Sequence, residues 1–186
     1  MDKKKIVVGI TGASGSIYAK SILDKLLVLE EYVEVALLIS DNAKTVWQYE
    51  LNEPFTNYPF KIYDKNDFNA PFASGSSTYE AMIIIPCSMG TMGRITSGIS
   101  NDLMTRTADV MLKERRKLLL VVRESPYNLI HIKNMETITL SGGVIFPASP
   151  GFYFKQKEIY EVVSDFTNKI LHHIGLKQNM KFWNEK

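Results

Sequence analysis

The segment that most restricts the fold is Leu118–Val122, an unbroken apolar run followed at once by Arg123-Glu124-Ser125-Pro126. An apolar run without alternation is typical of a strand that is covered on both faces inside a parallel sheet. Pro126 lacks an N–H group and disfavours helix at the residue before it, so we expect the chain to leave the sheet there. The charged pair Arg123 and Glu124 therefore follows the carboxyl end of a buried strand, where open α/β sheets bind ligands. For this pair taken alone, a solvated ion pair in a loop is the simpler interpretation.

Similar apolar runs alternate with segments of helical periodicity along the whole chain. The predicted strands are 6–10, 33–39, 81–85, 118–122 and 143–146, with a possible edge strand at 60–63, and the predicted helices are 17–29, 42–50, 101–116, 131–140 and 158–174. This alternation predicts an α/β fold with a doubly wound, mostly parallel sheet and helices on both faces. We expect a single domain over residues 1–186, with a tail from about residue 175.

Composition excludes several classes of protein. The 186 residues and the 45% hydrophobic content suit one ordinary globular domain, and a net charge of +2 gives no electrostatic reason to expect nucleic acid or an anionic membrane as partner. A single cysteine, Cys87, excludes an intramolecular disulfide and fits a reducing compartment. The apolar run after the basic residues 1–5 is short and ends in a glycine turn, unlike a signal peptide, and no run is long enough to cross a bilayer. We therefore expect a soluble, cytoplasmic protein.

A glycine-rich turn, Thr11–Gly15, separates the first predicted strand from the first predicted helix. Backbone N–H groups at the positive end of a helix bind phosphate, and the Ser14 hydroxyl would add another donor. The glycines at 9, 12 and 15 do not follow the dinucleotide-binding pattern GxGxxG. A tight turn that needs glycine only for its geometry is the alternative.

Metal and nucleophile chemistry have little support in the sequence. His172 and His173 are adjacent and so diverge on a helix, and His131 has no acidic residue nearby at ligand spacing, so we predict no metal site. Cys87 has no distinctive histidine partner and is interpreted as a small hydrophobe. No serine lies in a GxSxG elbow, which argues against a serine hydrolase.

Small and polar residues follow the predicted strands at positions that the fold would gather on one rim, and they suit an anionic, phosphate-bearing cofactor. They are Gly12, Ala13, Ser14, Ser40, Ser88, Met89, Gly90, Thr91 and Arg123. Glu50 and Glu124 would be carboxylates near this rim and are candidates for moving protons.

Six motifs then reveal a family resemblance by their order and spacing. They are GITGASG (9–15), ASGSS (73–77), PCSMGTM (86–92), NDLMTRTADVMLKERR (101–116), VVRESP (121–126) and PASPGFY (147–153). Together they resemble the UbiX family of flavin prenyltransferases, and the similarity extends from about Ile6 to Trp183. The combination of LKERR with RESP shortly after it is the most specific part.

This resemblance implies a Rossmann-like flavoprotein that holds reduced FMN and takes dimethylallyl monophosphate as its second substrate. Such an enzyme joins the prenyl unit to flavin N5 and C6 without a metal, and its product, prenylated FMN, serves a separate UbiD-type decarboxylase. The resemblance also implies a homododecamer built of trimers, with flavin sites at the subunit junctions.

The resemblance also implies roles for individual residues. FMN would be held by Gly12, Ala13, Ser14, Ser40, Ser88, Met89, Gly90, Thr91 and Arg123, and the prenyl phosphate by Arg106, Lys113, Glu124, Tyr153 and Lys169, partly across subunit boundaries. The implied catalytic residues are Ser14, Glu50, Lys113 and Glu124, with Glu50 as the base. Some relatives have arginine where this chain has Lys169, and a lysine keeps the charge but not the guanidinium fork. Trp183 resembles a tail residue that closes over the substrate.

Three other functions stay open at this point. A flavin-dependent cysteine decarboxylase would share the fold and the FMN rim but would need a histidine base near the flavin. An NAD(P)-dependent reductase would use Asp41, after the second strand, to bind a ribose. A flavin carrier would bind FMN without using Arg106, Lys113 or Lys169.

Overall fold

The computed structural model describes residues 2–55 and 58–176, and within these ranges the chain forms six strands and six α-helices. The strands are β1 (Lys4–Ile10), β2 (Val33–Ile39), β3 (Lys61–Tyr63), β4 (Ala81–Cys87), β5 (Lys117–Val122) and β6 (Val144–Ile145). The helices are α1 (Ser16–Val28), α2 (Asp41–Leu51), α3 (Met89–Thr96), α4 (Leu103–Lys113), α5 (Leu129–Leu140) and α6 (Ile159–His173). The predicted tail position Trp183 lies outside the described residues.

The six strands form one sheet in the order β3-β2-β1-β4-β5-β6, and every neighbouring pair is parallel. This is the strand order of Rossmann folds, in which the chain reverses its direction of travel between β1 and β4. Ligands of such sheets bind at the carboxyl ends of the strands beside this switch point. The predicted fold class is therefore confirmed, and the sheet is parallel throughout.

Helices cover both faces of the sheet, which explains why the strands are apolar without alternation. Successive residues of a strand point to opposite faces, so Ile83 of β4 packs with α1, α2 and α6, whereas Met82 and Ile84 pack with α3, α4 and α5. All three side chains are fully buried. Both faces therefore need apolar side chains, as the run Leu118–Val122 indicated.

Three predicted boundaries differ from the structure. Residues 89–96 form α3, where the sequence analysis had only a turn, because tertiary packing outweighs the low helix propensity of two glycines. Strand β4 continues through Pro86 to Cys87, where its register with β5 shifts, and proline is tolerated at such an irregularity. The helix predicted over 101–116 is shorter, since Asp102 caps its start and Arg115 adopts a left-handed φ of 55° just after its end.

The end of α6 is joined to the amino ends of the strands. Lys117, the first residue of β5, donates a hydrogen bond from Nζ to the carbonyl oxygen of His173 at 2.8 Å, and Leu176 is buried in the core.

Of the helices in the described part of the chain, none combines the length and the apolar character that crossing a bilayer requires.

We expect Val8→Ala to lower the free energy of unfolding by about 2 kcal/mol, because Val8 is fully buried in the central strand β1. Val28→Ala is the matched control, since Val28 is 83% exposed and should change the stability by less than about 0.5 kcal/mol. Urea unfolding at one fixed protein concentration measures both. Equal losses would contradict the placement of β1 at the centre of the core.

Candidate active site

The amino terminus of α1 is occupied by the carboxylate of Glu50. Glu50 Oε2 accepts hydrogen bonds from the backbone N–H groups of Gly15 at 3.0 Å and Ser16 at 2.7 Å, and Oε1 accepts a second one from Gly15 at 3.1 Å. Gly15 has a left-handed φ of 114°, which favours glycine and turns these N–H groups toward the carboxylate. Glu50 lies in the last turn of α2, so the turn after β1 and the end of α2 meet here.

Hydrogen bonding keeps Glu50 ionised. Burial by itself raises the pKa of Glu50, but hydrogen bonds from the Ser14 hydroxyl and from the N–H groups of Ser16 and Gly15 outweigh it, so the pKa lies below its usual value. The structure therefore brings together two of the predicted catalytic residues, Ser14 and Glu50.

A buried hydroxyl joins the two strands at the switch point. Thr11 Oγ1 donates to the carbonyl oxygen of Pro86 at 2.7 Å and accepts from the N–H of Ser88 at 2.8 Å, and Thr11 is only 3% exposed. It therefore holds the end of β1 against the end of β4. Local sequence marks Thr11 only as part of a glycine-rich turn and gives no sign of this role, because its partners lie 75 and 77 residues away.

Two predicted cofactor ligands, Ser40 and Ser88, are helix N-caps. Ser40 Oγ accepts from the N–H of Ala43 at 3.1 Å, and Ser88 Oγ accepts from the N–H of Thr91 at 3.3 Å. The amino ends of α2 and α3 therefore lie at the same edge of the sheet as the amino end of α1. Three helix amino termini, one of which already holds the Glu50 carboxylate, place their positive dipole ends at this carboxyl edge of the sheet, the rim, and favour an anion there.

Arg123 reaches the same rim beside α1. Burial raises the pKa of Tyr18, and the nearby positive charge of Arg123 opposes that rise. Tyr18 in turn lies close to Gly15, because a Cβ on Gly15 would approach the tyrosine ring to 2.9 Å. Arg123 therefore lies near the side chain that packs against Gly15, and Glu124 follows Arg123 in the chain.

A cavity of about 230 Å³ opens next to these helix termini. Ser40 and Thr91 line it, together with Arg94, which pairs with Asp102, and Lys65, which pairs with Asp41 at 2.5 Å. In the NAD(P) interpretation Asp41 would bind a ribose, and in the structure it forms this exposed ion pair instead.

The turn after β1 packs tightly against α2 at the edge of this cavity. A Cβ on Gly12 would come within 2.5 Å of Asn42 Cβ, so the turn and α2 lie too close for any side chain there. Backbone donors, hydroxyls and this close approach suit the phosphate and polyol chain of a flavin nucleotide.

The predicted phosphate-binding cations lie on other parts of the chain. Arg106 Nε donates to the carbonyl oxygen of Ala73 at 3.0 Å, and Lys113 Nζ lies 2.6 Å from where a Cβ on Gly75 would be, so both face the ASGSS loop from one side of α4. Because Lys113 ends α4 just before β5 begins, it lies toward the amino edge of the parallel sheet. Lys169 is exposed one turn before the end of α6, near the same edge. One chain alone therefore does not bring Lys113 and Lys169 to the rim.

The remaining candidates are placed as follows. Tyr153 is half-exposed in the segment that follows β6. Cys87 is fully buried, and burial raises the pKa of its thiol to about 12, so it packs as a small hydrophobe. His131 caps α5 through Nδ1, which accepts from the N–H of Asn128 at 3.4 Å. Within residues 2–55 and 58–176, no three ligand-type side chains gather in a way that would hold a metal.

Comparisons with known proteins agree with this geometry. The Flavoprotein family model matches residues 1–171. The flavin prenyltransferase UbiX of Thermoplasma acidophilum is 42% identical over 183 residues, which are 96% of this chain and 99% of that protein. The chain belongs to the UbiX flavin prenyltransferase family.

Two solved UbiX structures extend the comparison. The crystal structure of AnUbiX (PadA1), in complex with FMN and dimethylallyl pyrophosphate, superposes with a TM-score of 0.92 at 37% identity and covers 100% of both chains. A dodecameric FMN-dependent UbiX-like decarboxylase from Escherichia coli O157:H7 gives a TM-score of 0.91 at 34% identity, covering 97% of this chain and 100% of that chain. These similarities confirm the recognised family and the fold, whereas the assignments of individual site residues stay predictions.

We expect the stabilising effect of Glu50 to depend on pH. Because its folded-state pKa is lowered from the usual 4.5, the ionised carboxylate stabilises the folded protein above that pH, and the effect is lost as the pH falls through the folded-state value. The difference in free energy of unfolding between the wild type and Glu50→Gln should therefore be large at about pH 6.5 and small at about pH 3. Urea titrations at both pH values measure it, with the exposed Glu31→Gln as control. A difference that does not change with pH would refute the hydrogen-bonded, ionised state of Glu50.

Proposed function

We propose that this protein transfers a dimethylallyl group from dimethylallyl monophosphate to N5 and C6 of reduced FMN, forming prenylated FMN for a UbiD-type decarboxylase. The observation that carries the proposal is the ionised Glu50, held with Ser14 at the amino terminus of α1 beside the flavin-type rim. The names of the relatives support prenyl transfer to a flavin, and AnUbiX binds FMN together with a dimethylallyl ester, the pyrophosphate.

The rim would hold FMN through backbone and hydroxyl donors. Gly12 to Ser14, Ser40, Ser88 to Thr91 and Arg123 would bind its phosphate, polyol and ring edge. Reduced FMN supplies an electron-rich ring that accepts the prenyl carbon atoms. The chain orients the ring against the prenyl ester, and such positioning contributes about 7–11 kcal/mol to lowering a barrier between two reactants.

Glu50 would take a proton from the flavin as the new ring forms, with Ser14 and Glu124 passing protons onward. Its low pKa in the free protein makes it a weak base. Bound reactants would remove water from the rim and so raise the pKa of Glu50 toward the working pH. The amide donors of α1 would keep the carboxylate oriented meanwhile.

Cations would stabilise the departing phosphate. A monophosphate carries few negative charges, and Arg106, Lys113 and Lys169 would match them, with Tyr153 and Glu124 alongside. Because Lys113 and Lys169 lie toward the opposite edge of their own sheet, neighbouring subunits would supply them. We therefore propose a homo-oligomer, a trimer-based dodecamer by analogy with the E. coli structure. The lone thiol, Cys87, favours a reducing location such as the cytoplasm.

The direct test is the mass of the flavin. Protein incubated anaerobically with FMN, dithionite and dimethylallyl monophosphate should release a flavin heavier by one C5H8 unit. Omitting the prenyl phosphate is the control. Unchanged flavin from folded, FMN-loaded protein would overturn the proposal.

Lys113→Ala should separate catalysis from flavin binding. We expect turnover to fall by about 100-fold or more, because one fixed cation on the leaving group is lost, while FMN retention stays unchanged. Lys133→Ala is the matched control, since Lys133 is an exposed cation of α5 paired with Glu136. Anaerobic product formation and the flavin-to-protein absorbance ratio measure the two effects. Parallel loss of both would instead favour a flavin carrier.

A further inference from the structure

A second cavity, of about 430 Å³, lies at the amino edge of the sheet, away from the candidate active site. It is lined by Lys4, Ser77, Thr78, Tyr79, Glu80, Arg115, Arg116 and Lys117. These residues lie at or near the first residues of β1, β4 and β5. Strand β4 has seven residues, so at about 3.3 Å per residue this cavity lies roughly 20 Å from the rim.

The lining of this amino-edge cavity is strongly cationic. It contains four basic side chains and one carboxylate, Glu80, and that carboxylate pairs with Lys4 at 2.9 Å. Arg115, Arg116 and Lys117 form no ion pair within 4 Å among the described residues. Within that part of the chain none of the three therefore has a carboxylate in contact, although Glu114, which pairs with Lys113, interacts with Arg116 at longer range.

Arg116 is the fixed member of this group. Its Nη2 donates to the carbonyl oxygen of Gly75 at 2.6 Å, while its Nη1 is buried without a hydrogen-bond partner in the described part of the chain. A buried donor without an acceptor is costly, and the field of a partly desolvated guanidinium is less screened than that of a surface charge. The cavity therefore carries a positive potential that a bound anion would relieve.

Neutral and mobile donors complete the lining. Ser77 Oγ already accepts from the N–H of Tyr79 at 3.2 Å, which leaves its own hydroxyl hydrogen to donate. Lys117 Nζ uses one of its three donors on His173, so two remain. Donors from hydroxyls, ammonium and guanidinium groups match the several acceptor oxygens of a phosphate.

We propose that the amino-edge cavity is a binding site for a small phosphate-bearing anion, with lining residues different from those assigned to prenyl transfer. The lining supplies charge for more than one ionised oxygen. Inorganic phosphate and pyrophosphate are the two probes, because they share this chemistry and differ in size and charge.

Calorimetric titration of the full-length protein, at ionic strength held constant with sodium chloride, tests the proposal. Each probe is titrated into the wild type and into the variants, so that the change caused by a substitution reports binding in the amino-edge cavity. Arg115→Gln with Lys117→Gln should weaken binding of the tighter probe by about tenfold or more, because charge-assisted hydrogen bonds are lost. Lys133→Gln on α5 should leave binding unchanged.

Glu80→Gln should have the opposite effect on affinity, and a gain in affinity cannot result from unfolding of the variant. Removing the one carboxylate frees Lys4, so phosphate or pyrophosphate should bind more tightly. Circular dichroism checks the fold of every variant. No binding of either probe to the wild type, or binding that ignores both Glu80→Gln and the double substitution, would overturn the proposal. Prenyl transfer by the folded double variant should proceed as in the wild type, which separates this site from the proposed reaction.

Discussion

The structure depends on the contact between the ends of β1 and β4, where the Thr11 hydroxyl bonds both the Pro86 carbonyl and the Ser88 amide. These two strands are neighbours in the sheet but are far apart in the chain. The contact fixes the turn that leads into α1 relative to the one that leads into α3. Because the hydroxyl is buried and both donates and accepts, moving either turn would leave polar groups unpaired, at a cost of about 1–3 kcal/mol each.

The position of these two turns also determines where the groups of the rim lie. Glu50, near the end of α2, accepts hydrogen bonds from the amide groups of α1. Ser40 and Ser88 cap their own helices, and Arg123 directly follows β5. All of these groups lie at one edge because every strand of the sheet runs in the same direction. The basic residues at the ends of α4 and α6 lie toward the other edge for the same reason.

Much of the fold was predictable from local pattern. Unbroken apolar strands such as Leu118–Val122 require cover on both faces, and the alternation with helices then leaves few topologies. The short helix α3 was not predictable in this way, because MGTMGRIT has weak helix propensity and is held by packing. For the site, the structure brings the predicted residues Ser14 and Glu50 into contact, whereas the role of Thr11 depends on partners from a distant strand.

The sequence by itself determined the fold class, the recognised family and the residue types at the rim, because hydrophobic periodicity and ordered motifs are local properties of the chain. Only the tertiary structure decided which of these groups touch. It showed that the Glu50 carboxylate holds the amino end of α1, that Asp41 is bound to Lys65, and that basic residues surround a separate cavity at the amino edge. Such contacts join residues far apart in the chain, and only packing brings them within hydrogen-bonding distance.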